Sequence, residues 1–330
     1  PLFVAEFGLQ SLPDMETIKN FCPPQQLRIG SHTLEKHNYQ LDGNSRLYHY
    51  TGELFGAAQS PEQFIYLSQI TQARAAKIYV EHLRAHSAIN SGVLFRQFND
   101  CCPAISWSAV DYAKRPKAIY YYAKQFFSKH LIAVVPELKK THFDLPPEME
   151  SISVIVINDS DRPLTAILNC RLIDLFGRPL DEVGFPLAVA AFGKSSPLKL
   201  PKAIVHPAEP DKCCLHLAMS RDNKKIAENL VLYLPDKYVD WPKAQITAQM
   251  SPLAEKRWKL TLESDVVAKD VKISASIAVR FSDNFVDLMP LRGYEITIDC
   301  ESSVLSADSL CVRLYAVNSV FQMLPSSPSD

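Results

Sequence analysis

The sequence is poor in glycine and in organised cysteine. Only 10 of its 330 residues are glycine, and they build no glycine-rich phosphate-binding loop. The 8 cysteines include no Cys-x-x-Cys pair, and the neighbours Cys101-Cys102 and Cys213-Cys214 are poorly placed to bridge each other. We therefore expect most cysteines to be small buried hydrophobic residues, which points to a reducing compartment such as the cytoplasm. The sequence predicts no metal site and no cofactor.

The sequence also lacks a basic excess and a long apolar run. Its 35 basic and 36 acidic residues give a formal net charge of -1, which argues against binding nucleic acid or anionic lipid through bulk electrostatics. The longest mostly apolar stretch, residues 185–192, contains a proline and is far shorter than the ~20 residues of a membrane span. Because the chain enters a strand-like run directly at Pro1, we expect the missing N-terminal part of the same polypeptide to be its partner.

Short apolar strands and helices alternate at the start of the chain, which is the pattern of β/α units. Residues 2–5 predict a buried parallel strand that ends at Glu6. Ser60 and Gln63 form a predicted capping box that opens a helix. The apolar residues of that helix recur at helical spacing, and they are Phe64, Leu67, Thr71, Ala75 and Ile78.

A second unit of the same kind follows. Residues 93–95 predict another buried strand, and a helix rich in aromatic residues begins near Pro116. Two β/α units cannot close a sheet by themselves, so residues 1–132 are predicted to be the end of a larger barrel.

The pattern changes to short strands from about residue 151 onwards. One set of strand-like segments covers 151–157, 165–175, 215–219 and 230–234, with a hairpin turn at 174–179. After Trp241 a second set covers 244–249, 257–263, 271–277, 294–300 and 311–317. Each set has the length, the short strands and the regular turns of an immunoglobulin-like β-sandwich. The predicted fold is therefore multidomain, α/β plus all-β, with the C-terminal portion of a TIM barrel at 1–132 and sandwiches at 133–238 and 239–326.

Polar side chains follow both predicted strands of the first region. Glu6 stands where β/α barrels keep catalytic groups, at the C-terminal end of a strand, although a strand-end Glu can also form an ion pair or face water. Asn99 and Asp100 come after the second strand, as Glu6 does after the first, and each is also a common turn residue. Together they predict two neighbouring strand ends that offer polar groups to one cleft.

Two segments of the chain resemble motifs of known enzymes. The segment Phe3-Val4-Ala5-Glu6-Phe7-Gly8-Leu9-Gln10 resembles the nucleophile segment of β-mannosidases in glycoside hydrolase family two. Residues 92–108, which read GVLFRQFNDCCPAISWS, are similar to the eighth-strand segment of that group. Residues 111–124 continue the match into the last barrel helix. Residues 242–246 and 281–285 are similar to sequence motifs of the C-terminal sandwich domain of the same enzymes.

This resemblance implies a retaining exo-glycosidase that removes terminal β-D-mannose from oligosaccharides or glycoconjugates. It implies that Glu6 is the nucleophile, with Gln97 or Asn99 helping to orient it. We expect Arg96, Asp100 and the aromatic Trp107 also to belong to the substrate-binding site. In the family the acid/base Glu follows an Asn at the end of the fourth strand, which would lie upstream of Pro1. We therefore expect the isolated fragment to be inactive.

Two residues depart from the family pattern, which usually has Trp where this chain has Arg96 and Cys102. Replacing indole by a guanidinium removes an aromatic surface for sugar rings and adds a fixed charge. Arg96 could turn outward and leave a looser pocket, alter the specificity towards an anionic or more hydrated sugar, or abolish activity. Another family-two specificity (glucosaminidase or galactosidase) and a non-catalytic carbohydrate-binding or scaffold protein are the alternative functions.

Overall fold

The computed structural model describes residues 2–28, 30–138, 149–300 and 312–324. The chain divides into two compact units. The first consists of residues 1–172 and 181–239, and the second of residues 173–180 and 240–330. Each unit is described separately below.

The first unit opens with an α/β segment. Strand β1 (Val4–Phe7) is followed by helices α1 (Met15–Ile18), α2 (His32–Lys36), α3 (Gly43–Phe55) and α4 (Pro61–Ala85). Strand β2 (Val93–Phe95) and helix α5 (Ala118–Phe126) complete the segment. The predicted order of strand, helix, strand and helix is confirmed, and the long connection after β1 contains three additional α-helices and a 3-10 helix at Pro24–Gln26.

Helix α4 begins at the predicted cap. The Ser60 hydroxyl accepts a hydrogen bond from the Gln63 amide at 3.1 Å, while the Gln63 side chain accepts from the Gln59 amide, one residue before the cap. The prediction of its apolar face is wrong at the C-terminal half, because Ala75 and Ile78 are exposed. At 100° per residue the buried residues there lie on the other side of the helix, and they are Ala73, Ala76, Val80 and Leu83.

Strands β1 and β2 pair in parallel, as predicted, with Val4 opposite Val93 and Phe7 opposite Phe95. Their predicted burial is wrong for most positions: Val4 is buried, but Leu2 and Leu94 are 77% and 57% exposed. The physical reason is that β1 and β2 form a sheet of two strands among the described residues, so much of their surface has no neighbouring layer. Such a pair is below the size that is stable by itself.

The remainder of the first unit is a β-sandwich. Its strands are β3 (His130–Leu138), β4 (Met149–Asn158), β5 (Leu164–Asp174), β6 (Pro179–Val189), β7 (Gly193–Lys194), β8 (Leu198–Lys199), β9 (Cys213–Arg221) and β10 (Lys224–Leu232), with helix α6 (Lys202–Val205) before β9. One sheet has the order β10-β9-β5-β6, and the other has β3-β4-β7 with β8 also on β4. Alternate residues of both sheets, such as Val154, Leu168 and Leu217, form one buried core. The hairpin predicted at 174–179 joins β5 to β6, and residues 173–180 at its tip are counted with the second unit.

A buried asparagine anchors the loops at one end of this sandwich. Asn158 is fully buried, and its amide donates to the carbonyls of Arg162 at 2.8 Å and Ala190 at 2.9 Å. Its side-chain oxygen accepts from the Ser160 amide and hydroxyl. Asn158 also begins an Asn-x-Ser sequon, and these contacts leave no accessible amide for a glycan in the folded domain.

The second unit is also a β-sandwich. Its strands are β11 (Ile246–Ala254), β12 (Arg257–Ser264), β13 (Ala268–Ala275), β14 (Val279–Phe281), β15 (Val286–Leu288), β16 (Tyr294–Cys300), β17 (Val312–Ala316) and β18 (Ser319–Leu324). The sheets have the orders β11-β12-β16-β14 and β15-β13-β17-β18, and they enclose a core that includes Leu260, Ile273 and Ile298. All five predicted strands of this set are present, although Cys311 lies outside the described residues.

Two sequence expectations concern the whole chain. In the part that the structure describes, no helix combines the length and hydropathy that crossing a bilayer requires. Five of the seven described cysteines are buried, as predicted, whereas Cys101 and Cys102 are exposed. These two lie in the loop after β2, where the chain has left the sheet and the local core does not cover them.

Candidate active site

The C-terminal ends of β1 and β2 bring Glu6 and Arg96 together. Because the two strands are parallel, both residues lie at the same edge, and the Arg96 amide donates to the Phe7 carbonyl at 2.8 Å. Glu6 Oε1 lies 3.6 Å from Arg96 Nη1, and the two side chains are 66% and 49% exposed. An exposed pair of this kind contributes ~0–1 kcal/mol to stability. Glu6 lies inside β1, one residue before the strand ends at Phe7, whereas the sequence placed it directly after the strand; its role as nucleophile stays a prediction.

Arg96 also contacts Trp107. Its guanidinium carbon lies 5.2 Å from the centre of the Trp107 ring, within the range of a cation–π interaction. The Arg96–Gln97 peptide bond is cis. The contacts of Arg96 with Glu6 and with Trp107 place its guanidinium between the predicted nucleophile and the predicted aromatic residue of the site.

The polar residues after β2 hold their own loop together. Gln97 Nε2 donates to Asp100 Oδ1 at 3.1 Å, and the Ser108 hydroxyl donates to Asp100 Oδ2 at 2.7 Å. Asp100 is only 6% exposed, while Asn99 is exposed and donates to the Asp100 carbonyl. The Gln97 side-chain amide thus donates hydrogen bonds to the Asp100 carboxylate and to the Asn99 carbonyl. Both oxygens of the Asp100 carboxylate bind loop residues, which makes it an internal anchor of the loop.

Lys117 lies under this loop and was not singled out from the sequence. It is 1% exposed, and its ammonium donates to the carbonyls of Ser11 at 3.4 Å and Ser106 at 3.3 Å. Burial lowers the pKa of Lys117 to about 7, although the charges of Asp100 and Asp111 act in the opposite direction. Lys117 therefore joins the segment after β1 to the segment after β2. Its only sequence signal is its place in the matched segment 111–124.

Cys102, the second departure from the family pattern, contacts the connection after β1. Its Sγ lies 2.6 Å from the Tyr39 hydroxyl, and this hydrogen bond, followed by burial, raises the pKa of Tyr39. The neighbouring His37 ring contacts the Pro103 carbonyl at 2.9 Å. The loop after β2 is thereby attached to the segment that leads into α3.

A cavity lies beside this cluster, between the turn after β1, one face of α3 and Trp107. Its volume is about 280 Å³, and Gln10, Arg46, Tyr50 and Trp107 are among the residues that line it. Glu6 is not among the lining residues, but Gly8, two positions further along, is one of them.

Comparisons with known proteins cover nearly the whole chain. Residues 150–238 match the family model of a mannosidase Ig/CBM-like domain, and residues 241–315 match that of an Ig-fold domain of mannosidases. Beta-mannosidase B of Aspergillus niger is 25% identical over 302 residues, which are 87% of this chain and 35% of that protein. Beta-mannosidase B of Emericella nidulans is 26% identical over 90% of this chain and 36% of its own length.

Solved structures share the fold. The β-D-mannosidase of Dictyoglomus thermophilum superposes with a TM-score of 0.82 at 24% identity, over 96% of this chain and 38% of that chain. The exo-chitosanase of Amycolatopsis orientalis gives 0.70 at 18% identity, over 96% of this chain and 42% of that chain.

These similarities define the chain as a glycoside hydrolase-like protein with immunoglobulin-like sandwich domains. It spans about a third of the length of the curated relatives that it matches. Within its class, it resembles the C-terminal part of the β-mannosidases of glycoside hydrolase family two, and the resemblance predicted from its motifs is confirmed.

Proposed function

We propose that this chain is the nucleophile-bearing part of a retaining exo-β-mannosidase that removes terminal β-D-mannose from oligosaccharides. In this proposal β1 and β2 are the last two strands of a catalytic TIM barrel at residues 1–132, and the sandwiches are domains at 133–238 and 239–326. The remaining strands and the acid/base Glu come from the preceding part of the same polypeptide.

The observation that carries the proposal is the position of Glu6 at the shared edge of two parallel strands. Its side chain is 66% exposed, and Arg96, which contacts Trp107, lies next to it. In a retaining mechanism the carboxylate attacks the anomeric carbon as the protonated acid/base Glu transfers its proton to the leaving oxygen. Water activated by the same Glu then hydrolyses the glycosyl–enzyme ester. Mannose as the sugar is supported by the similarity to β-mannosidases over most of the chain.

The test requires the complete polypeptide, obtained by adding the coding sequence that precedes Pro1. An aryl 2-deoxy-2-fluoro-β-mannoside should trap the glycosyl enzyme, and mass spectrometry should locate the label on Glu6. Glu6→Gln should lower kcat for an aryl β-mannoside by about 10³-fold or more, because the amide is a very weak nucleophile. Glu16→Gln is the matched control, since Glu16 is 60% exposed and forms an ion pair with Lys19. Full activity of Glu6→Gln would refute the assignment.

A second candidate function is carbohydrate binding without hydrolysis, because the Arg96 guanidinium pairs with Glu6 and covers Trp107. The variant Arg96→Trp in the complete polypeptide distinguishes hydrolysis from binding without hydrolysis. For a hydrolase, we expect the restored indole to raise kcat/KM for an aryl β-mannoside above the wild-type value. If both forms bind mannosides but hydrolyse none, the binding function is correct. A screen of other aryl glycosides tests the glucosaminidase and galactosidase alternatives, and a clear preference for another sugar would contradict mannose.

A further inference from the structure

Two thiols lie side by side on the loop after β2. Cys101 and Cys102 are both exposed, whereas the other five described cysteines are buried. Because a thiol must be accessible to react with a ligand from solution, these two are the reactive pair among the described cysteines. Cys102 stands where the family pattern usually has Trp, so the adjacent pair is a feature of this chain and not of that pattern.

Both thiols interact with one hydroxyl group. Cys102 Sγ lies 2.6 Å from the Tyr39 hydroxyl, and Cys101 also forms a hydrogen bond with that group. The bond with Cys102, followed by burial and by the bond with Cys101, raises the pKa of Tyr39. Two sulfur atoms that contact the same oxygen lie close to each other, so they can bind one ion together.

An ion between the sulfurs suits adjacent cysteines better than a direct disulfide does. Consecutive Cα atoms are about 3.8 Å apart, which is shorter than the about 4.4–6.8 Å across ordinary disulfides. A bridging ion replaces the single sulfur–sulfur bond of about 2.05 Å by two metal–sulfur bonds of about 2.3 Å. The two side chains then do not have to bend towards each other as far.

The set of ligands favours a soft ion with a low coordination number. In the part of the chain that the structure describes, no three His, Cys, Asp or Glu side chains form a group that could hold a metal ion. Zn²⁺ in structural sites takes four protein ligands, and Ca²⁺ takes several oxygen ligands. Thiolates select Cu(I) among the soft ions, and Cu(I) is stable with only two sulfur ligands.

We infer that Cys101 and Cys102 form a binding site for one Cu(I) ion, which is held between their two thiolates. Two Cu–S bonds form, both thiols release their protons to the solvent, and the copper keeps its oxidation state. Because protons are released, binding should become tighter as the pH rises. The site is independent of the proposed function, since neither Glu6 nor a sugar takes part in it.

Competition with the chromophoric Cu(I) chelator bicinchoninate, without oxygen, tests the site in the folded 330-residue chain. Cys311 lies outside the described residues and is replaced by Ala in every protein. The parent protein should bind one equivalent of Cu(I). Cys101→Ser and Cys102→Ser should each weaken binding by about 10²-fold or more, because the second thiolate no longer adds its intramolecular contact. Cys22→Ala is the control, since Cys22 is 2% exposed, and it should bind Cu(I) like the parent.

Alkylation provides a second measurement that needs neither serine variant to fold. Brief treatment of the folded parent with iodoacetamide, followed by peptide mass spectrometry, should label Cys101 and Cys102 faster than the buried cysteines. One equivalent of Cu(I) should protect both thiols together. Protection of one thiol alone, no binding of Cu(I) by the folded parent, or unchanged affinity in a folded Cys102→Ser protein would overturn the site.

Discussion

Lys117→Met is expected to remove a pH dependence of stability that the wild-type chain carries. The native pKa of Lys117 is about 7, against an ordinary value of 10.5, because the ammonium is fully buried. Between these two pH values the unfolded chain holds a proton that the folded chain has released. The free energy of unfolding therefore rises with pH, and the destabilising effect of the buried charge is largest below about pH 7.

The magnitude follows from the size of the shift. A single group contributes up to ~1.4 kcal/mol per pH unit, which amounts to about 2 kcal/mol between pH 7.5 and pH 9. Methionine has a similar length and no charge, so this contribution should vanish. The Ser106 carbonyl keeps its hydrogen bond from the Ser11 amide at 3.0 Å, which limits other losses. The difference in pH slope between the two proteins is thus the quantity to measure.

Urea unfolding at several pH values, followed by Trp107 emission in the background without Trp241 and Trp258, gives both slopes. Other groups that titrate in this range are common to the two proteins and cancel in the difference. Lys36→Met is the control, because Lys36 is exposed on α2 and its loss should leave the slope unchanged. If wild type and Lys117→Met show parallel free energies across this range, the assignment of a neutral buried lysine is wrong.

Two further substitutions test the packing around the site and in the first sandwich. Gly8→Ala should destabilise the first unit by about 1–3 kcal/mol through the clash with the Arg96 carbonyl. Gly52→Ala in α3 should stabilise it by about 0.5–1 kcal/mol, because among the described residues only its own helix backbone lies within 4 Å of a Cβ there. Equal effects of the two substitutions in urea unfolding would contradict this account. Asn158→Ala should cost about 2–4 kcal/mol, since the Arg162 and Ala190 carbonyls lose the donor that the fully buried Asn158 supplies, and the Asn20→Ala control should be neutral because Asn20 is exposed. A loss below about 0.5 kcal/mol for Asn158→Ala in thermal unfolding would argue against the anchoring role.

Features that depend on neighbouring residues were predictable from the sequence. The Ser60 cap, the turn at 174–179 and most sandwich strands follow from hydrogen bonding and alternation within a few positions. The two parallel strands and the place of Glu6 near the end of the first were also evident from their apolar runs. The family resemblance added the expected roles of the site residues, which the local pattern does not contain.

Only the tertiary structure decided which polar groups face each other. Lys117 contacts Ser11 across 106 sequence positions, and Arg96 reaches Glu6 across a strand pair. It also decided that Asp100 is an internal anchor and that Ile78 is exposed, because burial depends on the layers that pack against a segment. Local spacing determines which residues share a face of a helix or strand, but the fold of the whole chain determines which of those faces becomes a site.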